Sequence, residues 1–464
     1  MSTELPILPL LRGAAPEGVS DLGSAQFAEA LDLKDPLRRF RKEFYIPTVG
    51  NSKGVDPEFG SAPGYAIYLC GNSLGLMSRR VERYVKEECE KWKRLGVEGH
   101  FNGERPWAMI DEDAVEKLVD IVGAESTAEV AVMNSLSMNL HTLLYSFYRP
   151  KGRRVRILME EAAFCSDQHI IKSQIRTREL DEKKVLRQLE PRAGEHTLRT
   201  EDILKAIEEE GECLAMVFLG GLQYYTGQFY DIEAIAKKGR SVGAIVGVDL
   251  AHAVGNVPLE LHRWGVDFAA WCTYKYLNSG PGSIGGAFVH SRHHGREKDD
   301  LKVLAGWWGQ TPQTRFKMGH EWEGIKGAQA WQVSNPAVLP TVCLRASLDI
   351  FREAGGMKTV RAKSLLLTGL LEYLITTTID AKYAKVITPS DPKRRGCQLS
   401  LLTSIPVKPV HSYLEAKGVI CDVREPNVIR IAPCPLYNTF GEVRMFVVLL
   451  KEALVDAAKM ISKL

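Results

Sequence analysis

Residues 267–286 read DFAAWCTYKYLNSGPGSIGG, and the fold follows from how Lys275 is presented within them. Phe268 to Cys272 is an apolar run long enough for one buried strand, Thr273 and Tyr274 follow it, and the glycines beyond the lysine let the chain bend sharply. A lysine shown at a strand end where water is scarce loses proton affinity, because burial disfavours the ammonium. Its neutral amine can then form a Schiff base with an aldehyde. A surface lysine closing a strand gives the same pattern, so neighbouring segments must discriminate. Gly280-Pro281-Gly282-Ser283-Ile284-Gly285 also fits GxGxxG. The lysine turn precedes it, however, and Ala287 to His290 reads as strand, the reverse of the order a dinucleotide site needs.

Upstream, strand and helix patterns alternate. Val155 to Met159, Leu214 to Leu219 and Ala244 to Leu250 read as apolar strands, with Thr200 to Glu210 and Asp231 to Arg240 as helices. This predicts an α/β fold: a large domain whose mostly parallel sheet is covered by helices on both faces. Such sheets meet ligands at the carboxyl ends of their strands. The residues just past those ends are Phe164 and Asp167 in AAFCSDQH, Tyr224 and Tyr225 in GGLQYYTGQ, Asp249 and His252 in VGVDLAHAVG, and then Lys275. Asp249 ends the apolar run IVGV, and a carboxylate there needs a partner. A helix cap or an ion pair would serve, and so would the protonated ring nitrogen of pyridoxal phosphate. Asp249 and Lys275, at the ends of neighbouring strands, are the pair that this cofactor requires.

Before this region, Tyr65 to Cys70 reads as a strand, and the GNSLGL turn after it carries Ser73, a ligand contact or a plain turn residue. A charged helix spans Arg79 to Leu95, and the irregular HFNGERPW holds His100. Asp111 to Val122 reads as a helix and Glu129 to Asn134 as a strand. Ser135-Leu136-Ser137 then opens a helix, where free N–H groups and hydroxyls make an anion pocket or a serine simply caps. From 291 to 335 regular pattern is lost. That stretch contains Trp307, Trp308, Trp322 and Trp331, a His293-His294 pair expected in a solvated charged loop, and Ser334-Asn335-Pro336. Beyond it, helices at Leu339 to Phe351, Val360 to Ile375 and Val410 to Lys417 mix with strands at Gln398 to Leu402 and Val428 to Ile431. A last helix opens on the capping box Thr439-x-x-Glu442. The expected organisation is an N-terminal arm over 1–65, a large cofactor-binding domain over 66–335 and a smaller α+β domain over 336–464. Arg430, a lone charge in VIRIAP, suits either a substrate carboxylate or a structural ion pair.

A chain of 464 residues is long enough for two cores, and 60 Lys+Arg against 57 Asp+Glu leave a net charge of +3. That balance gives no electrostatic reason to expect nucleic acid or a membrane as partner; a small-molecule substrate fits better. The 9 cysteines are scattered with no CxxC pair, which favours a reducing compartment and neither a disulfide framework nor a zinc site. No HExxH, GxxxxGK[ST] or GxSxG occurs, and no metal is expected. MSTELPILPLLRGAAPEG is a poor signal peptide, so the cytoplasm is expected. The terminal Ser462-Lys463-Leu464 makes the peroxisome the alternative, unless it is a frayed helix end.

With these residues assembled, the chain resembles the pyridoxal-phosphate enzymes of the aspartate-aminotransferase fold, and among them the kynureninase family. The resemblance rests on YLCGNSLGL (68–76), GHFNGERPW (99–107), VDLAHAVGN (248–256), WGVDFAAWCTYKYLN (264–278), GWWG (306–309), SNP (334–336) and IRIAPCPLYN (429–438). It implies hydrolysis of L-kynurenine or 3-hydroxy-L-kynurenine to an anthranilate and L-alanine, in tryptophan degradation toward NAD. It further implies that Lys275 holds pyridoxal 5'-phosphate and moves the substrate's α proton, that Asp249 keeps the ring nitrogen protonated and that Phe164 stacks on the ring. Leu136 and Ser137 would take the phosphate side, with Cys165, Ser166, Asp167, His252 and Tyr274 completing the cofactor shell. Tyr225 would be an acid-base group, Arg430 would meet the substrate carboxylate, and Ser73, His100, Ser334 and Asn335 the aromatic ring. Trp307 and Asn335 would reach the cofactor from a neighbouring subunit, which implies a homodimer with shared sites. Where the family pattern expects a serine this chain has Gly220, which puts one side-chain hydrogen bond in doubt. A cysteine desulfurase or aminotransferase of the same fold is the alternative. Cys272, in an apolar run, and Cys434, beside prolines, suit a desulfurase nucleophile poorly.

Overall fold

The computed structural model describes residues 5–48, 64–295 and 302–461; Ser462 to Leu464, with the candidate address, lie outside them. The chain divides into two compact units, one of residues 80–224 and 230–352, the other of 1–79, 225–229 and 353–464.

The first unit is built on a seven-stranded sheet. Its strands are β1 (Val130–Met133), β2 (Arg156–Glu160), β3 (Leu186–Leu189), β4 (Leu214–Gly220), β5 (Ile245–Asp249), β6 (Phe268–Cys272) and β7 (Gly285–Val289). Their spatial order is β1-β7-β6-β5-β4-β2-β3. The pairs from β6 through β3 are parallel, while β7 runs antiparallel to both β6 and β1. The expected α/β architecture with a mostly parallel sheet is therefore the one adopted. Helices α1 (Leu136–Phe147), α2 (Cys165–Arg176), α3 (Thr200–Glu210) and α4 (Ile232–Ser241) connect the strands.

Close packing fixes the sheet locally. Phe147 of α1 stacks on Phe268 of β6 at 4.9 Å between ring centroids, and Trp331 lies beyond it at 6.0 Å. Gly247 of β5 lies where the Phe268 ring leaves no room for a side chain. The chain leaves β2 outward to β3 and then returns to the other side of β2 as β4. The strand order thus reverses between β2 and β4, where open α/β sheets hold ligands. At that carboxyl edge β2, β4, β5 and β6 close on Glu160, Gly220, Asp249 and Cys272.

The second unit has a four-stranded antiparallel sheet of β8 (Ala384–Val386), β9 (Leu399–Thr403), β10 (Asp422–Arg424) and β11 (Val428–Ile431), in the order β10-β11-β9-β8. Helices Gly356–Thr378, Val407–Ala416 and Phe440–Ile461 pack in this unit. Its composition departs from the expected arm. Helices Leu8–Ala14 and Ala25–Lys34 insert Leu11, Phe27 and Leu31 into one core with Leu367, Leu371, Phe446 and Leu450. Asp32 accepts hydrogen bonds from the backbone N–H groups of Phe440 and Gly441, at 2.8 and 2.9 Å, capping the last helix from the N-terminal segment. The capping box forms as well: Glu442 N–H donates to Thr439 Oγ1 and Thr439 N–H to a Glu442 carboxylate oxygen, both at 3.0 Å. Ile67–Tyr68 pairs in parallel with Val419–Ile420. The division falls at 352 rather than 336. Helix Val338–Glu353 stays with the large unit because Asp349 accepts hydrogen bonds from Lys117 at 2.6 Å and Tyr84 at 2.8 Å.

His293 also departs from expectation. It is buried, with Nε2 2.7 Å from an Asp267 oxygen and its ring 5.0 Å from that of Phe147, because the Ser291–His293 turn folds back onto the sheet edge. None of the nine cysteines is in a disulfide. No described helix is long and apolar enough to cross a membrane.

Candidate active site

A cavity of about 170 Å³ opens at the carboxyl edge of the large sheet, at the reversal of strand order. Leu136, Ser137, Phe164, Ser166, Asp167, Asp249, His252, Tyr274 and Lys275 all line it. Lys275 follows β6 in a turn, partly exposed, with Nζ 2.8 Å from His252 Nε2. His252 is in reach because Asp249 closes β5 and accepts the Ala251 N–H at 2.7 Å, which turns the chain back under the lysine.

Asp249 and Asp167 form a buried acidic pair. Burial raises both carboxyls above the ordinary carboxylate range, and Asp167 rises further because the charge and hydrogen bonding of Asp249 add to burial. Asp249 is held down by the Ala251 N–H, Lys275 and Asp167. The surroundings of Asp167 thus favour its neutral form, while Asp249 is the member whose neighbours favour the charged form, as a group facing a cation needs.

The anion end is equally legible. Ser135 stands at the N-cap of α1, yet its side chain makes no capping bond. Helix α2 starts beside it, again without a side-chain cap, and the Ser137 and Ser166 hydroxyls lie 3.1 Å apart. The N-termini of two twelve-residue helices thus bring backbone N–H groups and serine hydroxyls to one place, a setting suited to an anion. Phe164 stands at the rim, half-exposed, its ring edge-on to Tyr224 at 5.1 Å. Burial and the neighbouring Cys272 push the Tyr274 phenol up, so it stays protonated. An amine, a buried carboxylate prepared for a cation and a double helix terminus match the aldehyde, ring nitrogen and phosphate of pyridoxal phosphate.

Other expected residues lie elsewhere. In the same unit, Cys165 is exposed and absent from the cavity lining. Trp307 donates its ring N–H to the Arg315 carbonyl at 2.9 Å, and Ser334 and Asn335 are exposed. His100 packs edge-on to Trp107 at 5.4 Å. Ser73, Tyr225 and Arg430 belong to the second unit. There Arg430 is buried and forked onto Asp422, Nε to Oδ1 at 3.0 Å and Nη2 to Oδ2 at 2.8 Å, so the ion-pair reading holds for those two nitrogens.

Glu160 and Gln223 line the cavity without a role expected from sequence, and Tyr224, expected at the carboxyl edge, lines it too. Glu160 could have been found, since it ends the run RILME as Asp249 ends IVGV. Its Oε2 accepts the Tyr230 hydroxyl at 2.7 Å, and burial pushes its carboxyl up to about 7 against the hydrogen bonds of Tyr230 and Gln223. A carboxyl raised on folding stabilises the protein fully below its ordinary 4.5 and loses that contribution as pH climbs through about 7. Glu160→Gln should therefore gain on wild-type apoprotein in melting temperature between about pH 5 and about pH 8. A difference independent of pH would count against the buried carboxyl's titration.

Solved structures share this fold. A cysteine desulfurase from Thermococcus onnurineus NA1 superposes with a TM-score of 0.68 at 16% identity, covering 84% of this chain and 95% of that one. C-DES, solved with glycine covalently linked to its PLP cofactor, also gives 0.68 at 16% identity, covering 83% of this chain and 96% of its own. The fold and the lysine–aspartate cavity define a pyridoxal-phosphate enzyme of the aspartate-aminotransferase fold. Curated kynureninases are similar over nearly the whole chain: that of Monosiga brevicollis is 47% identical, covering 94% of this chain and 97% of its own. The Homo sapiens enzyme is 47% identical, covering 92% of each, and the Myxococcus xanthus enzyme 47%, covering 91% and 96%. Residues 360–450 match the kynureninase C-terminal domain model. The chain belongs to the kynureninase family, and its cofactor is pyridoxal phosphate.

Proposed function

We propose that the cavity at Lys275 hydrolyses L-kynurenine and 3-hydroxy-L-kynurenine, releasing anthranilate or 3-hydroxyanthranilate together with L-alanine. The observation that carries this reading is the Lys275–His252–Asp249 constellation in a chain 47% identical to a curated kynureninase over 94% of its length. Pyridoxal phosphate, when bound, supplies an aldehyde for amine chemistry and a ring that draws electrons from the substrate's α carbon. Lys275 Nζ is the group that takes and returns the α proton, and His252 Nε2, 2.8 Å away, directs it. Asp249 carries the charge that keeps a ring nitrogen protonated. The α1 and α2 N-termini, with Leu136, Ser137 and Ser166, hold the phosphate, and Phe164 offers a stacking face. Water adds to the γ-carbonyl carbon and the bond between the β and γ carbons breaks. The γ carbon leaves as the anthranilate carboxylate and the β carbon gains a proton to become the methyl of alanine. Tyr225 is the acid-base group for that protonation.

Arg430, fixed by Asp422, takes the substrate's amino-acid carboxylate, while Ser73, His100, Ser334 and Asn335 choose the aromatic ring. Arg430→Lys cannot fork onto both carboxylate oxygens, so KM should rise about 10- to 100-fold with a smaller change in kcat. An unchanged KM would remove Arg430 from the substrate site. The assembly is a homodimer in which the exposed Trp307 and Asn335 complete the partner's cavity. Sedimentation at the mass of a single chain would refute that. The enzyme works in the cytoplasm, and deleting Ser462 to Leu464 tests peroxisomal import separately from activity. The decisive assay is direct: purified protein given pyridoxal phosphate and 3-hydroxykynurenine should release alanine and 3-hydroxyanthranilate in equal amounts. Sulfide release from cysteine, with no anthranilate, would favour the desulfurase alternative.

A further inference from the structure

The strand ends at the reversal point are not equivalent. β2 closes on Glu160 and β5 on Asp249, but β4 between them closes on Gly220, which has no side chain to offer. A Cβ at Gly220 would lie 3.6 Å from Glu160 Oε1 and 3.7 Å from the Leu222 carbonyl oxygen, both ordinary contacts. Neither crowding nor a left-handed backbone therefore demands glycine here. The next residue differs, since a Cβ at Gly221 would meet Leu250 at 2.6 Å. The open slot at Gly220 is faced by Glu160 Oε1, while Oε2 takes the Tyr230 hydroxyl at 2.7 Å and the Gln223 side chain bonds the same carboxyl. Glu160 is 5% exposed and lines the cavity with Lys275, Asp167 and Asp249. A carboxyl has about four lone-pair sites, so Glu160 can keep Tyr230 and Gln223 and still meet a polar group in the cavity.

We propose that Glu160 is a positioning residue for pyridoxal phosphate: held by Tyr230 and Gln223, it faces the slot left by Gly220 and gives the bound cofactor a hydrogen bond that β4, ending on a glycine, has no side chain to give. The inference rests on this cavity being the cofactor site. A carboxyl in this position can donate when protonated and accept when ionised, whereas a glutamine amide in the same place has a fixed donor and a fixed acceptor.

The test is titration of apoprotein with pyridoxal phosphate, read by absorbance and tryptophan fluorescence. Glu160→Gln keeps an acceptor for Tyr230 and should bind the cofactor about tenfold more weakly, the cost of one buried hydrogen bond. Adding Gly220→Ser to that variant should bring affinity back to within about threefold of wild type, because a hydroxyl then stands at the β4 end. Adding Gly220→Ala instead fills the slot without a polar atom and should restore nothing. A structural role for Glu160 would show no such difference between Ser and Ala. Wild-type affinity in Glu160→Gln would overturn the proposal, as would equal rescue by Ala and Ser. If borohydride reduction of wild-type protein failed to fix the cofactor on Lys275, the site assignment would fall with it. Fixation on Lys275 with no effect at Glu160 would overturn this inference alone.

Discussion

Lys275→Ala is expected to abolish covalent retention of pyridoxal phosphate and to slow anthranilate release by about 10³-fold or more. Two losses combine in that figure. The amine that bonds the aldehyde is gone, and so is the base for the α proton, which by itself contributes about 10²- to 10⁴-fold in enzymes of this kind. The neighbouring histidine compensates poorly. His252 lies 2.8 Å from Nζ and can accept a proton, but an imidazole cannot form the link to an aldehyde. Borohydride reduction followed by peptide mass spectrometry reads the first loss, and product release reads the second. A labelled peptide from any other lysine would move the site away from the end of β6.

The second large effect is expected at Asp249. Asp249→Asn keeps shape and the ability to accept the Ala251 N–H, now 2.7 Å from Oδ1, but removes the charge. A ring nitrogen facing a neutral amide loses its proton, and with it the electron sink. We expect kcat to fall about 100- to 1000-fold while the covalent link to Lys275 persists. The acidic pair sharpens the comparison, since Asp167 is raised partly by the charge of Asp249. Asp167→Asn should therefore cost much less than Asp249→Asn. Equal losses at the two positions, or wild-type turnover in Asp249→Asn, would refute the division of labour proposed for them.

Much of this site was legible in the sequence because parallel strands buried on both faces write themselves as apolar runs, and the residue that breaks a run marks the carboxyl edge. IVGV before Asp249 and FAAWC before Lys275 are both of that kind, and β6 spans Phe268–Cys272 as expected. Helices Arg79–Leu95 and Thr200–Glu210 likewise keep their expected limits. Helix α2 is not among the helices the pattern predicts; AAFCSDQH reads only as residues just past a strand. Its free N-terminus is what brings Ser166 to Ser137. The prolines and glycines of the N-terminal segment predict an arm. Its burial depends on Leu11, Phe27 and Leu31 meeting residues more than three hundred positions away, and no local pattern records that.

The stretch 267–286 by itself determined the strand, the presented lysine and the flexible turn after it, because burial and backbone freedom are local properties of residue type. The pairing of Lys275 with His252, the burial of Asp167 beside Asp249, and the slot at Gly220 faced by Glu160 were decided only by tertiary structure. Each needs separate strands or helices brought side by side, and the charge state of a buried group depends on everything packed against it.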